Sequence, residues 1–214
     1  MAWYRDHLFP LLLDWAMRRP SLQDERRHAV ADAQGSVLEI GFGTGLNLPY
    51  YPTAVSSVTA VDPARLLPRR VARRIAAARP PVELLCLSAE RLPFNDRQFD
   101  CVVSTWTLCT IPEVIMALRE VRRVLKPRGR FLFLEHGRST EETSARWQDR
   151  LDPLQQRLAG GCHINRSIDR LLLEAGFTIQ RLDRYRSPAA PRIVAAIFAE
   201  MYRGIALPTP GKGP

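Results

Sequence analysis

The sequence predicts an α/β fold, a seven-stranded and mostly parallel sheet with helices on both faces. Three observations carry this prediction. From Ser36 onward, short apolar runs alternate with amphipathic ones; a glycine-rich turn, Gly41-Phe42-Gly43-Thr44-Gly45, follows the first apolar run; and an acid, Asp62, closes the second. Strands that alternate with helical patterns read as strand–helix–strand units, whose crossover helices cover both faces of a parallel sheet.

Two helices precede the sheet. Trp3, Leu8, Leu11, Leu12 and Trp15 recur at near-helical spacing, which predicts an amphipathic helix over 3–18. A more polar helix follows over about 21–33. Residues 1–33 read as a helical lid and not as a separate domain. Ser36–Ile40, Val58–Asp62, Val82–Leu87, Asp100–Thr105 and Arg130–Glu135 are the first five strands. Leu66–Ala78 and Pro112–Leu125 are helices, the second with proline in its first turn, where a missing N–H costs little. Residues 137–165 interrupt the rhythm with a helical run, Glu141–Leu158, and a Gly160-Gly161 break. A connection this long reads as a cover over a site at the sheet edge. A helix over Ser167–Ala175 closes at Gly176. Phe177–Tyr185 and Ile193–Phe198 read as the last two strands, joined by a hairpin-type loop at Ser187–Pro191. Residues 1–207 form one domain, and the Pro/Gly-rich 208–214 reads as a flexible tail.

Composition narrows the function classes. The 214 residues are 46% apolar, which suits one domain with a filled core. No stretch approaches the roughly 20 apolar residues that span a bilayer, and the first residues lack the pattern of a secretory signal. A cytoplasmic protein is expected, with membrane association through the first helix as the alternative. The formal net charge is +9, and all but two of the 31 basic side chains are arginines, the exceptions being Lys126 and Lys212. They scatter over helix faces without interleaved aromatics, which weighs against a nucleic-acid partner. Cys86, Cys101, Cys109 and Cys162 make no C-x-x-C pair, so they read as reduced packing residues and no metal site is expected.

The chemistry sits in the glycine turn and the acid. Glycines at alternate positions let the main chain bend sharply and lie against a ligand. A nicotinamide fingerprint would place glycine at 46, where Leu46 stands. An acid at the tip of the second strand can accept both hydroxyls of an adenosine ribose. Turn and acid together point to a nucleoside ligand.

Two further stretches complete a resemblance. Leu87-Ser88-Ala89-Glu90-Arg91-Leu92-Pro93-Phe94 precedes Phe99-Asp100-Cys101-Val102-Val103, and Glu120-Val121-Arg122-Arg123-Val124-Leu125-Lys126-Pro127-Arg128-Gly129 precedes the fifth strand. In order and spacing, with Glu39 and the turn, these resemble the motifs of class I S-adenosylmethionine-dependent methyltransferases, including the methyltransferase type 11 domain. The resemblance spans residues 36–136 and implies a Rossmann-like sheet of order 3-2-1-4-5-7-6, with S-adenosyl-L-methionine as cofactor. It implies that Gly41, Gly43 and Gly45 approach the methionine part and that Glu39 orients the amino group or the turn itself. Asp62 would hold the ribose hydroxyls, with Pro63 alongside the adenine. Ala89 would meet the adenine edge, with Glu90 nearby, and Thr105 would face the sulfonium end. Ser88 stands where many relatives carry Asp, and Arg128-Gly129 where Gly-Gly is usual.

The Gly45-Leu46-Asn47-Leu48-Pro49-Tyr50-Tyr51-Pro52, Leu134-Glu135-His136-Gly137 and Gly161-Cys162-His163-Ile164-Asn165-Arg166 runs are similar to the branch of thiol methyltransferases and bacterial phospholipid N-methyltransferases. A small-molecule or lipid-like acceptor is therefore expected. Transfer from a sulfonium is an in-line displacement that needs alignment and dryness more than acid–base help. Open sheets bind ligands at the carboxyl ends of their strands, which makes Thr105, Trp106, Cys109, Glu135 and His136 candidates there. Trp106 reads as an apolar wall or as a face for a cationic amine, His136 as a proton acceptor, and Cys109 as a packed residue. His163, Trp147, Arg166 and Tyr185 read as parts of the cover. A non-catalytic nucleoside-binding protein, a nicotinamide oxidoreductase and an RNA methyltransferase are the competing readings. Oligomeric state is left open.

Overall fold

The computed structural model describes residues 8–64, 66–187 and 200–210. Its single sheet has seven strands: β1 Gly35–Ile40, β2 Val55–Val61, β3 Val82–Leu85, β4 Phe99–Thr105, β5 Leu125–His136, β6 Phe177–Arg186 and β7 Glu200–Pro208. Their order is β3-β2-β1-β4-β5-β7-β6. The first five strands pair in parallel, and β7 runs antiparallel between β5 and β6. The helices are α1 Phe9–Ala16, α2 Pro20–Val30, α3 Pro68–Ala76, α4 Val114–Val124, α5 Glu142–Leu158 and α6 Ile168–Glu174. No helix among the described residues is long and apolar enough to cross a membrane.

Strand periodicity explains the layers. Successive side chains point to opposite faces, so Leu38, Ile40, Val102, Phe131 and Phe133 join one core with α4 and α6. Val37, Cys101, Val103 and Leu132 alternate with them and join the other core, with Val30 of α2 and Val71 of α3. Strands buried on both faces read as continuous apolar runs, which is why they are legible in the sequence.

The predicted order holds. Several boundaries move. The third helix begins at Pro68 instead of Leu66, because Leu67 takes a left-handed φ of 45° and proline suits the first helical position. The fifth strand starts at Leu125, five residues early, because Leu125 pairs with Phe99 ahead of a register shift. The last strand is Glu200–Pro208; the predicted Ile193–Phe198 lies outside the described residues, as does most of the predicted loop at 187–191. β7 runs to Pro208 and the Thr209 N–H bonds the Gly176 carbonyl at 2.9 Å, while residues 211–214 of the expected tail lie outside the described residues. Trp3 also lies outside the described residues.

Strand order reverses between β1 and β4. The loops after these two strands diverge to opposite faces, and the crevice this opens is where doubly wound sheets take ligands.

Candidate active site

The carboxyl ends of β1, β2 and β4 deliver Gly41, Asp62 and Trp106 to this crevice. A cleft of about 400 Å³ opens there, within the size range of small-molecule sites. It is lined by Gly41, Gly43, Asp62, Pro63, Ser88, Ala89 and Trp106, with apolar walls from Leu13, Leu66, Ile111, Pro112 and Ala159. A smaller lobe of about 100 Å³ adjoins it beneath α1, where Asp14, Arg26, Thr44 and Thr105 join Gly41, Gly43 and Trp106.

The glycine turn divides its labour. All three glycines have positive φ. A Cβ on Gly43 would meet nothing within 4 Å, so this residue presents bare backbone to open space. A Cβ on Gly41 would lie 2.1 Å from the Thr107 side chain, and one on Gly45 would lie 2.8 Å from the Phe42 ring. Gly43 therefore borders the ligand space, while Gly45, absent from the cleft lining, shapes the turn from within.

Asp62 is set by the turn it serves. Its Oδ2 accepts the Gly43 N–H at 2.7 Å, and its Oδ1 accepts the Ala64 N–H at 2.8 Å. Each oxygen keeps a lone pair for a further donor. Burial raises the carboxyl above the usual carboxylate range, and the two N–H bonds oppose that rise.

Glu39 sits behind the turn and not in the cleft lining. It is buried, and its two oxygens accept Asn47 Nδ2 at 2.9 Å and the Tyr51 hydroxyl at 2.7 Å. These bonds tie the end of β1 to the segment that follows the turn. Desolvation pushes its pKa up to about 7. The folded-state value thus lies above the unfolded one, so this group stabilises the fold at acid pH. That contribution is lost as pH rises from about 4.5 through about 7. The Tm advantage of the wild type over Glu39→Gln, which stays neutral, is expected to shrink between pH 5 and pH 8. A constant difference would show that Glu39 keeps an ordinary pKa.

Arg26 of α2 was not foreseen as a site residue. Only 6% exposed, it donates from Nη1 to Asn47 Oδ1 at 3.0 Å and to Thr105 Oγ1 at 3.1 Å. Its guanidinium lies 4.6 Å from the Trp106 ring centroid. Burial lowers its pKa to about 10, which leaves it cationic at neutral pH. Its buried Nε–H has no partner among the described residues, an orphan donor beside the smaller lobe. Trp106 itself takes a left-handed φ of 51°, uncommon for a bulky residue and held here by that stacking and by its N–H bond to Leu134 O at 2.8 Å.

Other expected residues fall into place differently. Ser88 borders the cleft, yet its hydroxyl donates to Glu90 Oε2 at 2.7 Å. Glu90 in turn accepts the Glu113 N–H at 2.9 Å and anchors the loop to the start of α4, outside the cleft lining. Glu135 is fully buried and accepts from Ser104 Oγ and the Thr107 N–H. Burial raises its pKa to about 8. His136 does not line the cleft; its Nε2 lies 3.1 Å from Cys162 Sγ. Arg166 donates to the Leu108 and Ile111 carbonyls, and His163 faces Asp152, so both brace the segment after α5. The Tyr185 hydroxyl donates to Glu25, away from the cleft.

Asp14 ties α1 to the site. Fully buried at its side chain, it accepts Thr44 Oγ1 at 2.6 Å, Arg70 at 2.7 Å and Arg74 at 2.8 Å. Leu13 then lies over the cleft, while Trp15 is 67% exposed on the outer side.

An adenosyl donor fits these residues. The bare Gly43 backbone admits a close approach, Asp62 offers two acceptor oxygens, and the orphan Arg26 Nε–H suits a carboxylate. Comparison with known proteins agrees. A model described as "Methyltransferase domain" matches residues 38–133. Thiol S-methyltransferase TMT1A from Homo sapiens is 34% identical over 163 residues, covering 74% of this chain and 66% of the human protein. Phosphatidylethanolamine N-methyltransferase from Cereibacter sphaeroides is 32% identical over 129 residues, covering 58% of this chain and 63% of the bacterial one. The chain thus spans slightly less than two thirds of these relatives' lengths. A SAM dependent methyltransferase from Aquifex aeolicus shares the fold, with a TM-score of 0.64 at 16% identity over 94% of this chain and 98% of that one.

Proposed function

We propose, from the premise that the chain belongs to the methyltransferase-domain family, that it transfers a methyl group from S-adenosyl-L-methionine to a small-molecule or lipid-like acceptor. One observation carries this: Asp62 and the open Gly43 backbone share a wall of a largely apolar cleft at the sheet's switch point.

When bound, the donor supplies a methyl group already activated by the positive charge on its sulfur. The chain's residues position and enclose. Asp62 accepts the ribose hydroxyls with the oxygen lone pairs that Gly43 and Ala64 leave free. Pro63 and Ala89 flank the adenine, with Ser88 at its edge. Arg26 Nε–H pairs with the methionyl carboxylate, and Thr105 and Trp106 close the end where transfer occurs. Leu13 of α1 excludes water from above, in a lid role for 1–33, and Ala159 does so from the 137–165 cover. Water exclusion strengthens each of these polar contacts.

Among the described residues that line the larger cleft, Asp62 is the one titratable side chain. The described acceptor side is largely apolar surface, which supports a nucleophile that arrives ready to react, such as a thiolate or a lipid amine. The two curated relatives support the same acceptor classes. The apolar outer side of α1, with Leu11, Leu12 and Trp15 exposed, supports peripheral contact with a lipid surface.

Calorimetry with the donor, its demethylated product and NAD, followed by a radiolabelled-methyl screen over thiols, phospholipid amines, quinol precursors and RNA, tests the proposal. Binding of the first two and transfer to a thiol or lipid amine is expected. Binding without transfer to any acceptor would favour a non-catalytic nucleoside-binding protein. Asp62→Ala is expected to weaken donor binding at least tenfold, about 1.4 kcal/mol, for the lost charge-assisted bonds. Unchanged affinity in a folded variant would remove the ribose assignment.

A further inference from the structure

Behind the cleft wall lies a cluster that methyl transfer does not use. Cys109 follows β4, His136 ends β5 and Cys162 follows α5. Their Sγ, Nε2 and Sγ atoms all lie within 4.8 Å of one another, with His136 Nε2 and Cys162 Sγ 3.1 Å apart. Cys109 is 2% exposed, Cys162 is half-buried, and neither is in a disulfide. We propose that Cys109, His136 and Cys162 form a binding site for a thiophilic divalent cation, zinc above all.

Donor set and spacing support this. Two thiolates and an imidazole are the ligand types that tetrahedral zinc selects. Zinc–sulfur bonds of about 2.3 Å and zinc–nitrogen bonds of about 2.0 Å imply ligand–ligand edges of roughly 3.5–3.8 Å. With one separation at 3.1 Å and none above 4.8 Å, small side-chain rotations reach those edges and close the site. Three protein ligands leave the fourth corner to solvent, and the partial exposure of Cys162 puts that corner within reach of water.

The arrangement is held by contacts that involve none of the three ligand atoms. The His163 N–H bonds the Cys109 carbonyl at 2.8 Å, which aligns the two cysteine segments. Arg166 clamps the same loops through the Leu108 and Ile111 carbonyls. Asp152 of α5 accepts the Ile164 N–H at 2.8 Å and faces His163 Nδ1 at 2.9 Å, which keeps that second histidine engaged elsewhere. Such support is what fixes a ligand set before an ion arrives.

The proposal stands apart from the methyltransferase reading, and its test needs no turnover. The full chain, reduced and stripped with a chelator, is titrated with Zn²⁺ against a chromophoric competitor. One equivalent bound tighter than about 1 μM is expected. Co²⁺ in its place should give thiolate charge-transfer absorption and the visible bands of a tetrahedral ion. Cys109→Ser, Cys162→Ser and His136→Ala should each weaken Zn²⁺ by more than about 100-fold, beyond the cost of losing an outer partner, and Cys86→Ser should leave it unchanged. Zn²⁺ binding weaker than about 1 μM, or a Co²⁺ spectrum without thiolate absorption, overturns the proposal. The Co²⁺ spectrum is read on the wild-type chain, so it decides the matter even where a variant fails to fold.

Discussion

Arg26→Ala is expected to destabilise the fold by about 3–5 kcal/mol and to cost most of the donor affinity. The magnitude is that of removing one member of a buried charged network. Asn47 Oδ1 loses a donor and Thr105 Oγ1 loses one of two. Glu39 loses the cation that favours its ionised form. The Trp106 ring loses the guanidinium that covers it while keeping a strained backbone. Arg26→Lys should recover only part of the loss, because an ammonium cannot reproduce the planar fork or the stacking. Denaturant unfolding measures the stability and calorimetry the affinity. A loss below about 1 kcal/mol, the scale of an exposed ion pair, would mean that the arginine network does not hold α2 to the sheet.

Gly41→Ala is expected to cost about 3 kcal/mol. A left-handed φ of 69° penalises a Cβ by about 1–2 kcal/mol. The added atom also lies 2.1 Å from Thr107, and such overpacking costs about 1–3 kcal/mol. For a chain of this size, a Tm drop of about 6–12 °C follows. Gly43→Ala separates structure from binding. Its φ of 58° carries the same penalty, yet the Cβ meets nothing within 4 Å, so the Tm drop should be about half as large while donor affinity falls, because the methyl group occupies ligand space. Differential scanning fluorimetry with and without donor reads both. Equal Tm values for the two variants would show that Thr107 gives way to Gly41→Ala at no cost.

Much of this molecule is legible from its chain alone. Parallel strands buried on both faces need continuous apolar runs, and crossover helices need amphipathic ones, so the strand–helix alternation and hence the sheet appear in the sequence. The glycine turn and Asp62 are legible for a related reason: a sharp backbone bend and a single carboxylate act through residues local in sequence, at the tips of neighbouring strands.

Contacts between distant elements were decided only by the fold. Arg26 sits in a helix whose polarity looks like a solvated face, and nothing local tells that its guanidinium reaches Asn47 and Thr105, 21 and 79 residues away. Asp14 reaches Arg70 and Arg74 in the same way. Cys109, His136 and Cys162 have no ligand spacing in the sequence because three separate elements deliver them. Periodicity reports which side of an element is buried. Which charged or sulfur-bearing side chains meet depends on how the loops close over the sheet, and no window of sequence contains that.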